Sequence, residues 1–318
     1  MERLFRIHKW SIFKVLIFFG FFAQGNNNQI TPLYPVGNSI SLNGTWKFKY
    51  IPSSTIGPDS LFYSENFEVS KWDNIKVPGH WELQGFAEPN YKSVDEGTGL
   101  YRTFFTVPAS FAGKQVFIRF EGVQYAYEVH VNGQKAGEWS SSYNAASFNI
   151  TDLVQPGKEN TLAVRVSTRS KGYQFDLNDC WALSGIFREV TLFSTPDLYI
   201  DDYTVRTFLN NDRSANIKIS VKLQDEKKEI SGSYLLRAKL NSPDGNVVQE
   251  KSWAAQIENS AELIVTFPEL WTAETPSLYS LELSLLKDGS EIQRVNQKLG
   301  IREIKIEALR SQIGMVTQ

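Results

Sequence analysis

The stretch YEVHVNGQKAG, residues 127–137, carries the clearest local signal of the chain. Asn132-Gly133 supplies the positive φ angles of a type I′ turn, so this dipeptide predicts a tight β-hairpin. Apolar and polar residues alternate before the turn, as in a strand with one buried face. His130 falls in the middle of this strand, which favours a structural role for it. The stretch therefore predicts antiparallel β-structure.

The same pattern continues on both sides of the hairpin. Short apolar runs are separated by Gly, Pro, Asn and Asp, as expected for a succession of strands. No convincing amphipathic helix interrupts them. The predicted strands of this first group, besides the hairpin, are 45–50, 99–107, 115–123, 161–167 and 188–194.

A second group of about seven strands begins near Tyr199. Seven short strands in about a hundred residues is the size of an immunoglobulin-like sandwich. Pro196 lies in the short linker 194–200 and cannot continue a strand ladder, so we place the domain boundary there. The predicted strands are 203–209, 215–223, 233–240, 247–255, 262–267, 279–286 and 296–306.

The first 25 residues differ from the rest. Arg3, Arg6 and Lys9 precede the apolar run VLIFFGFFA (15–23), and small residues follow it. This order predicts a secretory signal peptide over residues 1–25, hence a secreted or periplasmic protein with no membrane association after cleavage. A membrane anchor is the alternative, although the run is short for a bilayer.

Composition excludes several classes of protein. Hydrophobic residues make up 42% and charged residues 21%, which is typical of a globular protein. Removing the signal peptide takes four basic residues and one acid from a chain of net charge −2, leaving −5. Nucleic-acid binding is therefore not expected. Cys180 is the only cysteine, which excludes an intrachain disulfide and favours a small buried side chain.

Familiar catalytic motifs are missing from the sequence. Beyond the signal peptide the only histidines are His80 and His130, and no HExxH, CxxC or GxSxG arrangement occurs. Nucleophilic triads and zinc sites are therefore not expected. Catalysis by a pair of carboxylates stays an open alternative, because sequence alone does not show which acids lie side by side.

Five stretches, in order, carry a resemblance to a known family. Together they resemble the N-terminal domain of glycoside hydrolase family 2, of the bacterial β-galactosidase type. Two later stretches, LWTAETPSLYSLEL (270–283) and LGIREIKI (299–306), resemble the immunoglobulin-like domain that follows it. The five stretches are SLNGTWKFKY (41–50), VPGHWELQGF (77–86), GTGLYRTFF (97–105), FEGVQYAYEVHVNGQKAG (120–137) and CWALSGIFREVTLFSTP (180–196).

The resemblance implies an all-β chain of two domains. A jelly-roll β-sandwich of the galactose-binding-like type would occupy residues 26–198, and an immunoglobulin-like β-sandwich residues 199–306. The tail, 307–318, does not resemble the entry into the catalytic barrel of the family. The expected function is the N-terminal portion of an exported β-galactosidase.

In the family, a (β/α)₈ barrel carries both catalytic glutamates, one acid/base and one nucleophile. The acid/base glutamate follows an asparagine, and this sequence has no Asn-Glu dipeptide. We therefore expect no catalytic residue in this chain, a truncated enzyme, and no activity alone. Galactoside would be a partner only when a barrel is joined to it.

Three residues match substrate-pocket positions of the family. Asp179 matches an acid that hydrogen-bonds a galactose hydroxyl and helps to bind sodium, and a carboxylate suits both tasks. Magnesium is a second candidate ion for the full-length enzyme. Tyr91 matches a pocket tyrosine, and Ser93 stands where the family has a sugar-contacting asparagine of longer reach. Trp181 would anchor the loop by packing.

Structural alternatives exist for these residues. Taken alone, Asp179 favours capping a turn before the strand, whereas the surrounding match favours its role in the site. Tyr91 is equally compatible with a buried core position. Other residues are predicted to be structural. Trp46 and Trp81 would lie in the first core, Arg188 would be an ion-paired strand residue, and Gly133 and Gly185 would serve turns or close backbone approach. Trp271, Pro276 and Tyr279 would be core and corner residues of the second domain.

Two other functions remain open. Jelly rolls commonly bind glycans, so the chain is also compatible with a free-standing carbohydrate-binding or adhesion module. Within the family, β-glucuronidases and β-mannosidases share the same two leading domains, although DCWALSGIFREV (179–190) favours a galactosidase. The resemblance also implies that the chain forms homo-oligomers through surfaces of its first domain.

Overall fold

The computed structural model describes residues 39–91, 96–169, 173–177, 180–226 and 233–302. Within them the chain folds into two successive β-sandwiches, which confirms the predicted all-β class. The only α-helix in the described ranges is α1, Tyr173–Asp176. No helix of the described part is long and apolar enough to span a bilayer. The predicted signal peptide and the tail 307–318 lie outside the described residues.

Among its described residues, the first sandwich has twelve strands, and these pair antiparallel. They are β1 Ile40–Ser41, β2 Gly44–Ile51, β3 Asp73–Val77, β4 Thr98–Thr106, β5 Gln115–Phe120, β6 Val123–Gln124, β7 Ala126–Val131, β8 Gln134–Trp139, β9 Ala146–Asn149, β10 Glu159–Ser167, β11 Gly185–Ile186 and β12 Val190–Thr195. A four-stranded sheet, β1-β12-β5-β9, accompanies a six-stranded sheet, β3-β2-β4-β10-β7-β8. β6 and β11 form a separate short ribbon. These interrupted sheets, linked by crossovers, agree with the jelly roll that was expected.

Large aromatic side chains dominate the core of the first sandwich. Trp46 and Trp81 are 2% and 0% exposed, which confirms the core positions predicted for them. Phe48 and Tyr101 contact each other with ring centroids 4.7 Å apart. Gly99 lets Trp81 approach the backbone of β4, because a Cβ at Gly99 would lie 2.4 Å from the indole ring. The strands therefore enclose rings that must interlock closely.

The hairpin that opened the sequence analysis forms as predicted. Asn132 and Gly133 have φ angles of 47° and 77°, as a type I′ turn requires. The side chain of Asn132 also donates to the carbonyl of Leu153 and accepts from the backbone N–H of Thr161. His130 is buried in β7 and stacks on Tyr63 at 4.4 Å, consistent with a structural residue.

The second sandwich has seven strands in the described residues. They are β13 Leu198–Leu209, β14 Ala215–Asp225, β15 Tyr234–Asn241, β16 Val247–Ala254, β17 Glu258–Val265, β18 Tyr279–Lys287 and β19 Ser290–Leu299. Sheets β13-β14-β17 and β16-β15-β18-β19 enclose an aliphatic core. In β14 the buried residues alternate with exposed ones, which is the period-2 pattern of a half-buried strand.

Three predicted residues of the second domain have different surroundings. Tyr279 is buried, and its hydroxyl accepts a hydrogen bond from the backbone N–H of Glu269 at 2.8 Å. Trp271 is half-buried, with its ring against Gly300. Pro276 is exposed, so of the predicted core and corner positions only a corner position fits it. It lies in the surface connection that precedes β18, where a proline needs no strand partner.

The two sandwiches meet next to Pro196. β12 ends at Thr195 in the first sandwich, and β13 begins at Leu198 in the second. Phe117, Phe193 and Tyr199 form a buried aromatic cluster across this junction. The Tyr199 hydroxyl donates to a carboxylate oxygen of Glu226 at 3.1 Å.

Candidate functional site

Two loops of the first sandwich meet at one corner of the domain. The backbone N–H of Ala182 donates to the carbonyl of Asn90 at 2.7 Å, and the two residues form an isolated β-bridge. The next residues, Tyr91 and Trp181, contact each other edge to face with ring centroids 5.8 Å apart. The segments that contain the predicted site residues are thus neighbours in space. We call the surface formed by Tyr91, Trp181 and their bridge the aromatic corner.

The aromatic corner faces solvent. Tyr91 is 45% exposed and Trp181 is 54% exposed. The alternative of a buried core position for Tyr91 is therefore wrong, because nearly half of its surface is accessible. Trp181 packs against Tyr91 but keeps more than half of its surface open, so it is less of an anchor than expected. Ser93 and Asp179 lie outside the described residues, and their roles stay predictions.

Hydrogen bonds between residues 79–82 and 184–186 form a layer next to the aromatic corner. The backbone N–H groups of Gly79 and Trp81 donate to the carbonyls of Ile186 and Ser184 at 2.7 and 3.2 Å. The carboxylate of Glu82 accepts the backbone N–H of Ser184 at 2.9 Å. These bonds join the loop before Tyr91 to the segment after Trp181.

Gly185 makes this close approach possible. Its φ is 115°, and a Cβ there would lie 2.8 Å from the Tyr101 hydroxyl and 3.0 Å from the Gly79 carbonyl. Both the backbone angle and the lack of space require glycine, which agrees with the role predicted for this residue.

Two titratable groups in this layer are perturbed by burial. The side chain of Glu82 is almost fully enclosed, and loss of hydration raises its pKa above the usual value. His80 stacks on Phe187 at 5.2 Å, and burial lowers its pKa. Both shifts have the same main cause, because burial penalises the charged form of each group.

A second set of contacts holds the segment on the N-terminal side of Trp181. Ser142 donates its backbone N–H and its hydroxyl to one carboxylate oxygen of Asp176, at 3.1 and 2.8 Å. The Tyr143 hydroxyl donates to the Asp176 carbonyl at 3.2 Å and lies 3.7 Å from the sulfur of Cys180. Gln124 donates its side-chain amide to the same hydroxyl at 3.2 Å. We call this arrangement the 142–143 clamp.

The 142–143 clamp contacts residues on both sides of position 179. Asp176 precedes that position by three residues, and Cys180 follows it directly. Cys180 is half-buried and contacts a hydroxyl, so it is not the enclosed apolar residue that was expected. Sequence inspection missed the clamp because its two parts lie 34 residues apart, and serine and tyrosine in a loop are not a distinctive signal.

Arg188 does not have the predicted environment. It lies exposed in a bend between β11 and β12, not in a strand, and donates to the carbonyl of Tyr143 at 3.1 Å. Its guanidinium lies over the rings of Phe187 and Tyr143, 5.1 and 5.9 Å from their centroids. The described partners of Arg188 are therefore two aromatic rings and a backbone carbonyl, and not the carboxylate of the predicted ion pair.

The predicted metal site has one named ligand, Asp179. In the described ranges no group of three or more His, Cys, Asp or Glu side chains lies close enough to hold an ion. The expected sodium ion would need further oxygen ligands besides Asp179, because one carboxylate does not complete a coordination shell. Sodium and magnesium binding therefore stay predictions.

The described residues form two β-sandwich domains, and the first of them carries the solvent-facing aromatic corner. Residues 40–196 match the family described as "Glycosyl hydrolases family 2, sugar binding domain". Residues 198–302 match the family described as "Glycosyl hydrolases family 2". The chain belongs to glycoside hydrolase family 2, and these are its N-terminal sugar-binding domain and its immunoglobulin-like domain.

Individual relatives are similar over nearly the same range. The β-galactosidase of Halalkalibacterium halodurans is 33% identical over 292 residues, which cover 86% of this chain and 28% of the relative. The β-galactosidase of Clostridium acetobutylicum is 33% identical over 291 residues, which cover 84% and 31%. The chain thus spans less than a third of the length of these relatives.

A solved structure of Bacteroides uniformis β-glucuronidase superposes with a TM-score of 0.71 and 26% identity. The match covers 83% of this chain and 32% of that one. The family models and the similar sequences show the family, while the printed names of these proteins, β-galactosidase and β-glucuronidase, refer to two different sugars.

Proposed function

We propose that this chain supplies the two leading domains of an exported family 2 β-galactosidase. In this role the first sandwich presents Asp179, Tyr91 and Ser93 at the mouth of a catalytic barrel, and the barrel supplies the acid/base and the nucleophile. The observation that carries the proposal is the meeting of the two loops at the aromatic corner. The contact between Tyr91 and Trp181 supports the proposal, because these two residues neighbour Ser93 and Asp179 in the sequence.

The galactoside preference is supported by the curated relatives. Those at 33% identity are β-galactosidases, whereas the solved structures at 26% identity include both a β-glucuronidase and a protein described as "putative beta-galactosidase". A glucuronide carries a carboxylate that an acid such as Asp179 would repel, whereas a galactose hydroxyl can donate a hydrogen bond to it. The alternative substrate is therefore disfavoured at this position.

Hydrolysis is expected to need the barrel. The purified 318-residue chain should release no nitrophenol from nitrophenyl β-galactoside or β-glucuronide above the buffer rate. Measurable, heat-sensitive release that persists in an Asp179→Asn variant would show a catalytic site in the chain itself and would contradict the proposal.

A chimera tests the role of Asp179 directly. Residues 40–302 would replace the matching region of the Halalkalibacterium halodurans β-galactosidase, which keeps that enzyme's own barrel. In an active chimera, Asp179→Asn should lower kcat/KM for nitrophenyl β-galactoside by about 10- to 100-fold, since it removes a hydrogen bond to a charged acceptor. It should also raise the sodium concentration needed for half-maximal activity.

The matched control is Asp152→Asn, which changes an exposed acid on the same sandwich. It should leave both quantities within about twofold, because a surface charge far from substrate contributes little. Equal losses in the two variants would indicate a general effect of charge and would remove Asp179 from the site.

A further inference from the structure

A groove on the first sandwich plays no part in the proposed function. Its volume is about 600 Å³. This size is typical of small-molecule sites. Its lining comes from β2, from Asp59, from the segment 67–73 and from the turn at 85–86, and it contains neither Tyr91 nor Trp181.

The groove exists because β2 is longer than its neighbour. β3 pairs with β2 only from Gly44 to Phe48, whereas β2 continues to Ile51. On the β3 side, no strand among the described ones pairs with residues 49–51. The groove opens at Lys49 and Tyr50, where the sheet loses this partner.

Aromatic rings form the apolar part of the lining. Tyr50, Phe67 and Phe86 are each half-buried, so part of each ring is accessible. Phe86 packs on Phe48 at 4.7 Å and Phe67 on Trp72 at 5.9 Å, which fixes both rings against buried residues. Rigid rings with an accessible surface suit the apolar C–H face of a sugar ring, because no side-chain ordering is needed on binding.

Charges of both signs form the polar part. Asp59, which is 8% exposed, is paired with Lys49 at 2.8 Å. Lys71, Glu68 and Asp73 are exposed at the rim. An ammonium group only donates hydrogen bonds and a carboxylate only accepts them, whereas a sugar hydroxyl does both.

The balance of charge selects among ligands. Three carboxylates against two ammonium groups leave the groove slightly negative, which disfavours an anionic ligand such as a uronic acid or a phosphate. A neutral polyol satisfies donors and acceptors alike. The lining therefore matches an uncharged hexose better than the other small ligands of this size.

We propose that this groove binds a neutral hexose unit of a glycan, at a site separate from the aromatic corner and independent of any barrel. The matched family description, a sugar-binding domain, covers this part of the chain. The inference does not rest on the β-galactosidase function, because binding here would hold a glycan near the protein whether or not the chain takes part in hydrolysis.

The test uses the purified 318-residue chain with galactose, lactose, cellobiose and glucuronic acid as probes. Saturation-transfer NMR and titration calorimetry should show saturable binding of at least one neutral sugar with a Kd on the order of 1–10 mM. Glucuronic acid should bind more weakly than galactose. Tighter binding of glucuronic acid would overturn the assignment of a neutral ligand.

Rim variants locate the site. The double variant Glu68→Ala with Lys71→Ala should weaken binding by about three- to tenfold, because exposed side-chain hydrogen bonds are lost. Asp73→Asn is a second rim change that keeps the size of the side chain. Lys114→Ala, an exposed lysine elsewhere on the sandwich, is the matched control and should bind as the parent does.

Separation from the aromatic corner is tested by amide hydrogen exchange with and without about 50 mM galactose. Binding in the groove should slow exchange in residues 67–73, whereas residues 180–182 at the aromatic corner should exchange as before. Far-UV circular dichroism of each rim variant reports whether the fold is kept. No saturation by any neutral sugar at about 50 mM, equal affinity in the rim variants and the parent, or slower exchange confined to residues 180–182 would each overturn the proposal.

Discussion

The two sandwiches are similar in architecture but differ in what fills them. The first encloses interlocking aromatic rings, including Trp46, Trp81, Tyr101 and Phe120, whereas aliphatic side chains dominate the second. The first also places polar side chains in long connections between strands, and the second mostly joins neighbouring strands by short turns. The predicted site and the groove both belong to the first sandwich. Large rings and long loops thus go together with candidate binding surfaces, while the aliphatic sandwich is the more regular one.

The largest expected difference concerns the two cores. Trp81→Ala should lower the free energy of unfolding of the first sandwich by about 3–5 kcal/mol, because it removes a fully buried indole. Leu281→Ala, in the second core, should cost about 2–5 kcal/mol there. Differential scanning calorimetry should show each variant shifting mainly one transition. A common shift of all transitions in both variants would show that the sandwiches unfold as one unit and would weaken the comparison.

The second largest expected difference is in how the stability of each sandwich depends on pH. Burial, with Lys135 and Arg165 nearby, lowers the pKa of His130 from its usual 6.5 to about 4. Between those values the unfolded chain binds more protons than the folded one, so stability is fully present above about pH 6.5 and is lost as the pH falls towards 4. The loss at His130 is of order 2–3 kcal/mol.

His130→Gln should remove this contribution, measured as the slope of the unfolding midpoint in urea against pH from 7 to 4. The region 198–302 contains no histidine, so its transition should have the same pH dependence in the parent and in His130→Gln. Any slope of that transition should come from carboxylic acids such as Asp201 and Glu226, whose pKa values burial raises. A histidine-dependent slope of equal size in the second transition would contradict the interpretation.

The smallest effect concerns the 142–143 clamp. Ser142→Ala removes the hydroxyl bond to Asp176 but keeps the backbone N–H bond, so global stability should fall by only about 1 kcal/mol. The local effect should be clearer: amide hydrogen exchange in residues 173–177 and 180–182 should become faster. Ser140→Ala, at an exposed serine nearby, is the control. Unchanged exchange in Ser142→Ala would mean that the clamp does not hold this segment.

The sequence predicted the strands more completely than it predicted the site. Asn132-Gly133 specified its turn locally, and alternation located strands such as β14 to within a few residues. Tyr91 shows where such reasoning stops: a tyrosine between polar residues fits a core position or a surface equally well, and only its neighbours decide. Arg188 was misjudged for the same reason, because a bend, not a strand, surrounds it.

Amino-acid order by itself determined the class of fold, the two-part organisation and the family, because turn chemistry, strand periodicity and motif order are all local along the chain. Tertiary structure alone decided that Tyr91 contacts Trp181 and that Ser142 and Tyr143 hydrogen-bond to Asp176. It also decided that β2 extends beyond its pairing with β3, next to the groove. Each of these depends on residues that are distant in sequence and become neighbours only when the sheets pack. Their proximity follows from register and layer geometry, which no short stretch of sequence encodes.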